Sequence, residues 1–121
     1  MLTNRRLISS ACACLFLAAC FPKAGTVPGP LSAGAIQSAQ AKWPDTSAGE
    51  LEQGRQLFLE HCNACHSYPD RAAYKEADWP DIARRMGRKA DLKEAESELV
   101  LRFILANRSD PGAAPAASGT P

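Results

Sequence analysis

The pentapeptide Cys62-Asn63-Ala64-Cys65-His66 brings two thiols and an imidazole together within one helical turn. Several chemistries use that spacing. A disulfide across two residues would employ both cysteines and leave His66 without a role. A thioredoxin-type redox pair calls for a βαβ context, and a zinc site calls for a second pair of ligands. Neither context is visible in the sequence. The remaining chemistry is covalent haem attachment. There the two sulfurs reach the vinyl groups along one porphyrin edge, and the adjacent histidine turns its ring beneath the iron. The other histidine, His61, precedes Cys62 directly and is poorly placed to reach the far face of a porphyrin.

The surrounding segment, Ser47 to Ala106, carries three helical signals. Ser47-Ala48-Gly49-Glu50 is a capping box that opens a helix through about His61, with Leu51, Gly54, Leu57 and Phe58 on its inner face. Asp78-Trp79-Pro80 starts a short helix running to about Met86, with Trp79, Ile82 and Met86 on one side and Gly87 as its stop. Asp91-Leu92-Lys93-Glu94 opens a third, in which Leu92, Ala95, Leu99, Phe103 and Ala106 recur at helical spacing. No stretch reads as a strand, so the expected class is all-α. About sixty residues bury a marginal core, and chains of that size usually need a staple.

Taken together, these features resemble the class I cytochrome c family, whose domain begins with a helix ending at the C-x-x-C-H motif and closes with a helix packed across the first. The resemblance implies a small cytochrome c-like fold of three main helices around one covalently bound haem c, over residues 47–107. It implies attachment through Cys62 and Cys65, with His66 as the proximal iron ligand. Gly54, Phe58 and Phe103 match the positions where the family's first and last helices cross. Family members usually supply a methionine as the distal ligand, and here that residue is Met86, because Met1 leaves with the leader. The alternative for Met86 is a core residue of an amphipathic helix, which would leave the iron five-coordinate or weakly ligated.

The chain departs from the family where a longer segment, often with Gly-Pro after the motif, separates histidine and methionine. Here Ser67-Tyr68-Pro69 follows His66. About a dozen extended residues still span roughly 40 Å, enough to round a porphyrin. Pro69 is expected either to offer a carbonyl to His66 Nδ1 or simply to make a turn. Trp79 is expected to donate its indole N–H to a haem propionate or to be a plain core residue. Arg71, Arg84, Arg85, Arg88 and Lys89 form a basic set near Met86, suited to propionates, to an acidic partner or to water.

Both ends of the 121-residue chain read as something other than domain. Met1 to Ser10 carries Arg5 and Arg6 without an acid and leads into the apolar Ala11 to Ala19, a stretch too short to span a bilayer. Leu17-Ala18-Ala19-Cys20 resembles the bacterial lipobox. That resemblance implies a signal peptide over 1–19 and acylation of Cys20, which would make it the first mature residue; the alternative is an ordinary signal with a chance cysteine.

Of five cysteines, Cys12 and Cys14 then leave with the signal, Cys20 takes lipid, and only Cys62 and Cys65 remain. Residues 20–46, rich in proline, glycine and small side chains, read as a flexible lipidated tether, and 108–121 as a disordered tail. Loss of Arg5 and Arg6 reduces 14 basic side chains to 12 against 13 acidic ones, which gives no basis for nucleic-acid binding.

The expected function is that of a membrane-tethered electron carrier rather than an enzyme, exchanging single electrons with redox donor and acceptor proteins at the periplasmic face or cell surface. Phe21 stands where an aspartate commonly retains lipoproteins in the inner membrane, so the outer membrane is preferred. The rival functions are a haem sensor or small-molecule binder with an open sixth position, and a fixed haem subunit of a larger oxidoreductase.

Overall fold

The computed structural model describes residues 25–110, an all-α arrangement of four helices with single-residue bridge positions at Pro28 and Pro69. The expected signal over 1–19, Cys20, the first tether residues 21–24 and residues 111–121 lie outside that range. The framework is a crossed pair, α2 (Ala48–His61) and α4 (Glu94–Arg108). The expected capping box opens α2: Ser47 Oγ accepts from the Glu50 amide at 3.1 Å, and the Glu50 carboxylate accepts from the Ser47 amide at 2.8 Å. The Ser47 amide, and after it the Ser47 hydroxyl, donate to the Glu50 carboxylate and hold it below its ordinary pKa.

The two helices touch backbone to backbone at Gly54. A methyl group there would lie 2.2 Å from the Leu99 carbonyl oxygen and 3.0 Å from Phe103 Cβ. A mid-helix glycine costs about 1 kcal/mol in intrinsic propensity, and the close approach explains its presence. Beside it Phe58 and Phe103, both wholly buried, meet at a centroid distance of 5.8 Å with their planes tilted by 55°. Val100, Ile104, Leu105 and Trp79 complete that cluster.

The segment expected to be a tether contains a further helix, α1 (Ala33–Lys42). Ser32 caps it, its Oγ accepting from the Ala35 amide at 3.2 Å, and Ala35 and Ala39 are buried along one side. Ala39 joins Leu51 and Ala106 in a second small core, with Leu31, Ile36 and Trp43 packed around it. Alanines at i and i+4 let α1 lie close to the α2–α4 pair. The start of α1 is tied to the end of α4, since Asp110 accepts from the Ser32 amide at 2.9 Å and from Ser32 Oγ at 2.7 Å. The packed unit therefore extends beyond residues 47–107 in both directions.

Helix α3 (Trp79–Lys89) follows a 3₁₀ turn over Glu76–Asp78 and carries Pro80 in its first turn, as the sequence predicts. Trp79, Ala83 and Gly87 face inward at i, i+4 and i+8. Gly87 is not the stop. The helix passes it to Lys89, and the turn that follows closes at Asp91, whose φ of 56° is left-handed; the Leu92 amide returns to the Gly87 carbonyl at 2.9 Å and the Asp91 amide to the Arg88 carbonyl at 3.4 Å. The last helix accordingly starts at Glu94, with the Glu96 carboxylate accepting from the Lys93 amide at 2.8 Å.

Candidate functional site

Where α2 ends, the chain turns beneath α3 and leaves a cavity of about 290 Å³. One wall is Phe58 and Cys62 from the end of α2, the second is Ile82 and Met86 from α3, and the floor is Val100 and Ile104 of α4. Cys65 and His66 form its exposed rim. The sequence-predicted residues Cys62, Cys65, His66 and Met86, separated by up to 24 positions, thus line one apolar chamber. His61 lines it too, at the side of its neighbour Cys62.

Both thiols are unpaired, Cys62 half-buried and Cys65 exposed. Burial pushes the Cys62 thiol up to about 11, which keeps it protonated at neutral pH. A redox-active C-x-x-C pair needs the opposite shift. Among the described residues, no three His, Cys, Asp or Glu side chains gather into a group that could hold a metal ion.

The ring of His66 is oriented by its own neighbour. Nδ1 lies 2.7 Å from the Ser67 carbonyl oxygen, and since a carbonyl only accepts, that contact places the proton on Nδ1 and leaves the lone pair on Nε2. Of the two roles expected of Pro69, a carbonyl for His66 Nδ1 or a plain turn, the first falls to Ser67. The Pro69 carbonyl instead lies against the backbone of Gly25, where a Cβ would come within 2.2 Å. The orienting carbonyl comes from the residue adjacent to the histidine, and Pro69 contributes a ring to the cavity wall.

Trp79 is 1 % exposed and lines the cavity, yet its indole Nε1–H has no hydrogen-bond partner among the described residues. A buried donor left unpaired costs about 1–3 kcal/mol, so this atom calls for an acceptor that the described residues do not supply. Compared with protein-family models, curated proteins and solved structures, the chain matches none of them. The donor set, the apolar walls and the unpartnered indole nevertheless fit a flat, largely apolar group with acidic substituents and a metal at its centre.

The basic set expected near Met86 does not act as one group. Arg84 and Arg85 pair with Asp81 on the exposed side of α3, at 3.6 and 3.0 Å, and Lys89 lines the cavity. Arg71 belongs elsewhere. Its Nε donates to Asn107 Oδ1 at 2.6 Å, its Nη1 to the Thr26 carbonyl at 3.0 Å, and its guanidinium sits 5.6 Å from the Phe58 centroid. Burial lowers its pKa from the ordinary arginine value, against a smaller opposing pull from Asp70. Arg108 completes the exchange by donating to the carbonyls of Arg71 and Tyr74, both at 2.8 Å.

Sequence reasoning also missed Tyr68 as a positioning residue. Its ring stacks on Phe58 at 5.3 Å, and its hydroxyl donates to the Leu59 carbonyl at 2.7 Å. That returns the chain to α2 directly after the Cys65-His66 rim. Aromatic character at position 68 was the only available signal.

Proposed function

We propose that the chain holds one covalently attached haem in this cavity and works as a lipid-anchored carrier of single electrons, with a cytochrome c-like domain as its vehicle. The observation that carries the reading is the convergence of Cys62, Cys65, His66 and Met86 on one apolar chamber that also contains an unpartnered indole donor. When bound, the haem supplies a one-electron couple at its iron.

The polypeptide's share is attachment, orientation and exclusion of water. Cys62 and Cys65 hold the group as thioethers at the end of α2. His66 offers Nε2, its ring held by the Ser67 carbonyl. Met86 offers a soft, neutral thioether that favours the ferrous state over what a second histidine would give. Trp79 Nε1–H supplies a donor suited to a propionate oxygen, and Phe58, Ile82, Val100 and Ile104 keep the chamber apolar. Outside the described residues, the lipobox at Cys20 supports anchoring; within them, no helix is long and apolar enough to cross a membrane.

Replacing Met86 with alanine should abolish the weak near-infrared sulfur-to-ferric-iron band and lower the reduction potential. An unchanged spectrum would remove Met86 from the iron. Carbon monoxide separates the carrier from a sensor: the reduced wild-type protein should resist it, and rapid, complete binding would favour the sensor.

A further inference from the structure

The stretch expected to let the domain roam is mostly fastened to it. The Gly25 amide donates to the Tyr68 carbonyl at 2.7 Å, and the Gly25 backbone lies so flat on the next residues that a Cβ would come within 2.8 Å of Asp70 Cα. The Thr26 carbonyl accepts from Arg71, the buried Pro28 offers its carbonyl to Arg55 at 3.4 Å, and Ser32 is bound twice to Asp110. Between Cys20 and Gly25 stand only Phe21, Pro22, Lys23 and Ala24. Five residue steps reach roughly 17 Å at full extension. A lipid on Cys20 would therefore keep Gly25, and the Tyr68–Asp70 segment beneath it, next to the headgroups.

The segments joined near that point also carry the exposed large apolar side chains. Among the described residues these are Val27, 43 % exposed, and Tyr74, 36 % exposed. Val27 follows Gly25 by two positions, while Tyr74 ends the loop that Arg71 and Arg108 bind to Thr26 and to the end of α4. An aliphatic and an aromatic side chain beside a membrane anchor suit the bilayer interface, where tyrosine is enriched. Tyr74 also meets Trp79 edge to face at 5.6 Å, so this surface adjoins the cavity wall.

We infer that the domain rests on the surface of its own bilayer through Val27 and Tyr74, with the loop that follows His66 facing lipid and the amino-terminal end of α4 facing away. The inference rests on the reading of Cys20 as the acylated residue and is independent of haem. Its partners must then approach from the sides or from above. The fifteen residues of α4 separate its two ends by roughly 20 Å, which supplies an internal control.

The test places a photoreactive benzophenone amino acid at Val27, Tyr74 or the exposed Ala95 in the full chain, purified from membranes and reconstituted into vesicles of phosphatidylethanolamine and phosphatidylglycerol. Mass spectrometry of the amino-terminal peptide first selects acylated protein. A chain without acyl groups refutes the lipid reading itself and, with it, this one. For acylated protein, irradiation should give lipid adducts at positions 27 and 74 several-fold above position 95. Equal yields at the three positions would overturn the inference. So would adducts to protein instead of lipid at 27 and 74 in native membranes.

Discussion

The α2–α4 crossing and the Cys62–Lys89 region are built on opposite plans. At the crossing, Gly54 admits the opposing backbone, wholly buried Phe58 and Phe103 fill the angle beside it, and the side chains complete each other. Around the cavity, two thiols that form no disulfide, an imidazole and a thioether face a common space, and the Trp79 indole N–H there has no partner among the described residues. One half of the domain is closed by its own side chains. The other leaves an open chamber, the one in which we propose that haem is held. Tyr68 joins the two, stacking on a core ring from the loop that begins the second.

The strongest way to break this contrast is Phe103→Ala, expected to cost about 4 kcal/mol in denaturant unfolding. A loss of under about 1 kcal/mol would show that the crossing is not the structural centre. Gly54→Ala should come next, at about 2–3 kcal/mol, because the new methyl meets a backbone carbonyl that cannot step aside. Gly87→Ala is the matched control. Its methyl meets the Ser97 hydroxyl at 2.1 Å, the rotatable tip of a side chain, so the gain in helix propensity offsets most of the crowding and the net change should stay within about 1 kcal/mol.

Trp79→Phe sharpens the other half with a smaller effect whose sign depends on state. In a Cys62→Ala, Cys65→Ala chain made without haem, removing the unpaired N–H should be neutral or stabilising by up to about 1 kcal/mol. In haem-loaded protein the same change should destabilise by about 1 kcal/mol, as expected for a lost hydrogen bond. An equal effect in both states would assign Trp79 a packing role alone.

Much of this was legible in the sequence because local signals and tertiary packing agree. The Ser47–Glu50 box, Pro80 in the first turn of α3 and the apolar spacing of α4 predict helices close to those found. The α1 helix was hidden by averaging. Prolines and glycines fill positions 22–34, but 35–43 contains neither and is rich in alanine, the best helix former. Gly87 looked like a stop because glycine favours left-handed backbone, whereas close packing against Ser97 explains it and Asp91 adopts the left-handed turn. For the cavity, residue types identified Cys62, Cys65, His66 and Met86. The roles of Ser67, Arg71 and Asn107 depend on which carbonyl or amide lies opposite, and spacing carries no such information.

The most direct test is an intact mass combined with a pyridine haemochrome spectrum, made on full-length protein purified from membranes of a host able to attach c-type haem. The account predicts one haem that survives denaturation and acid–acetone extraction, with a spectrum typical of two thioether bonds, and its loss in the Cys62→Ala, Cys65→Ala variant. A wild-type chain whose mass shows no covalent haem under those conditions would contradict it.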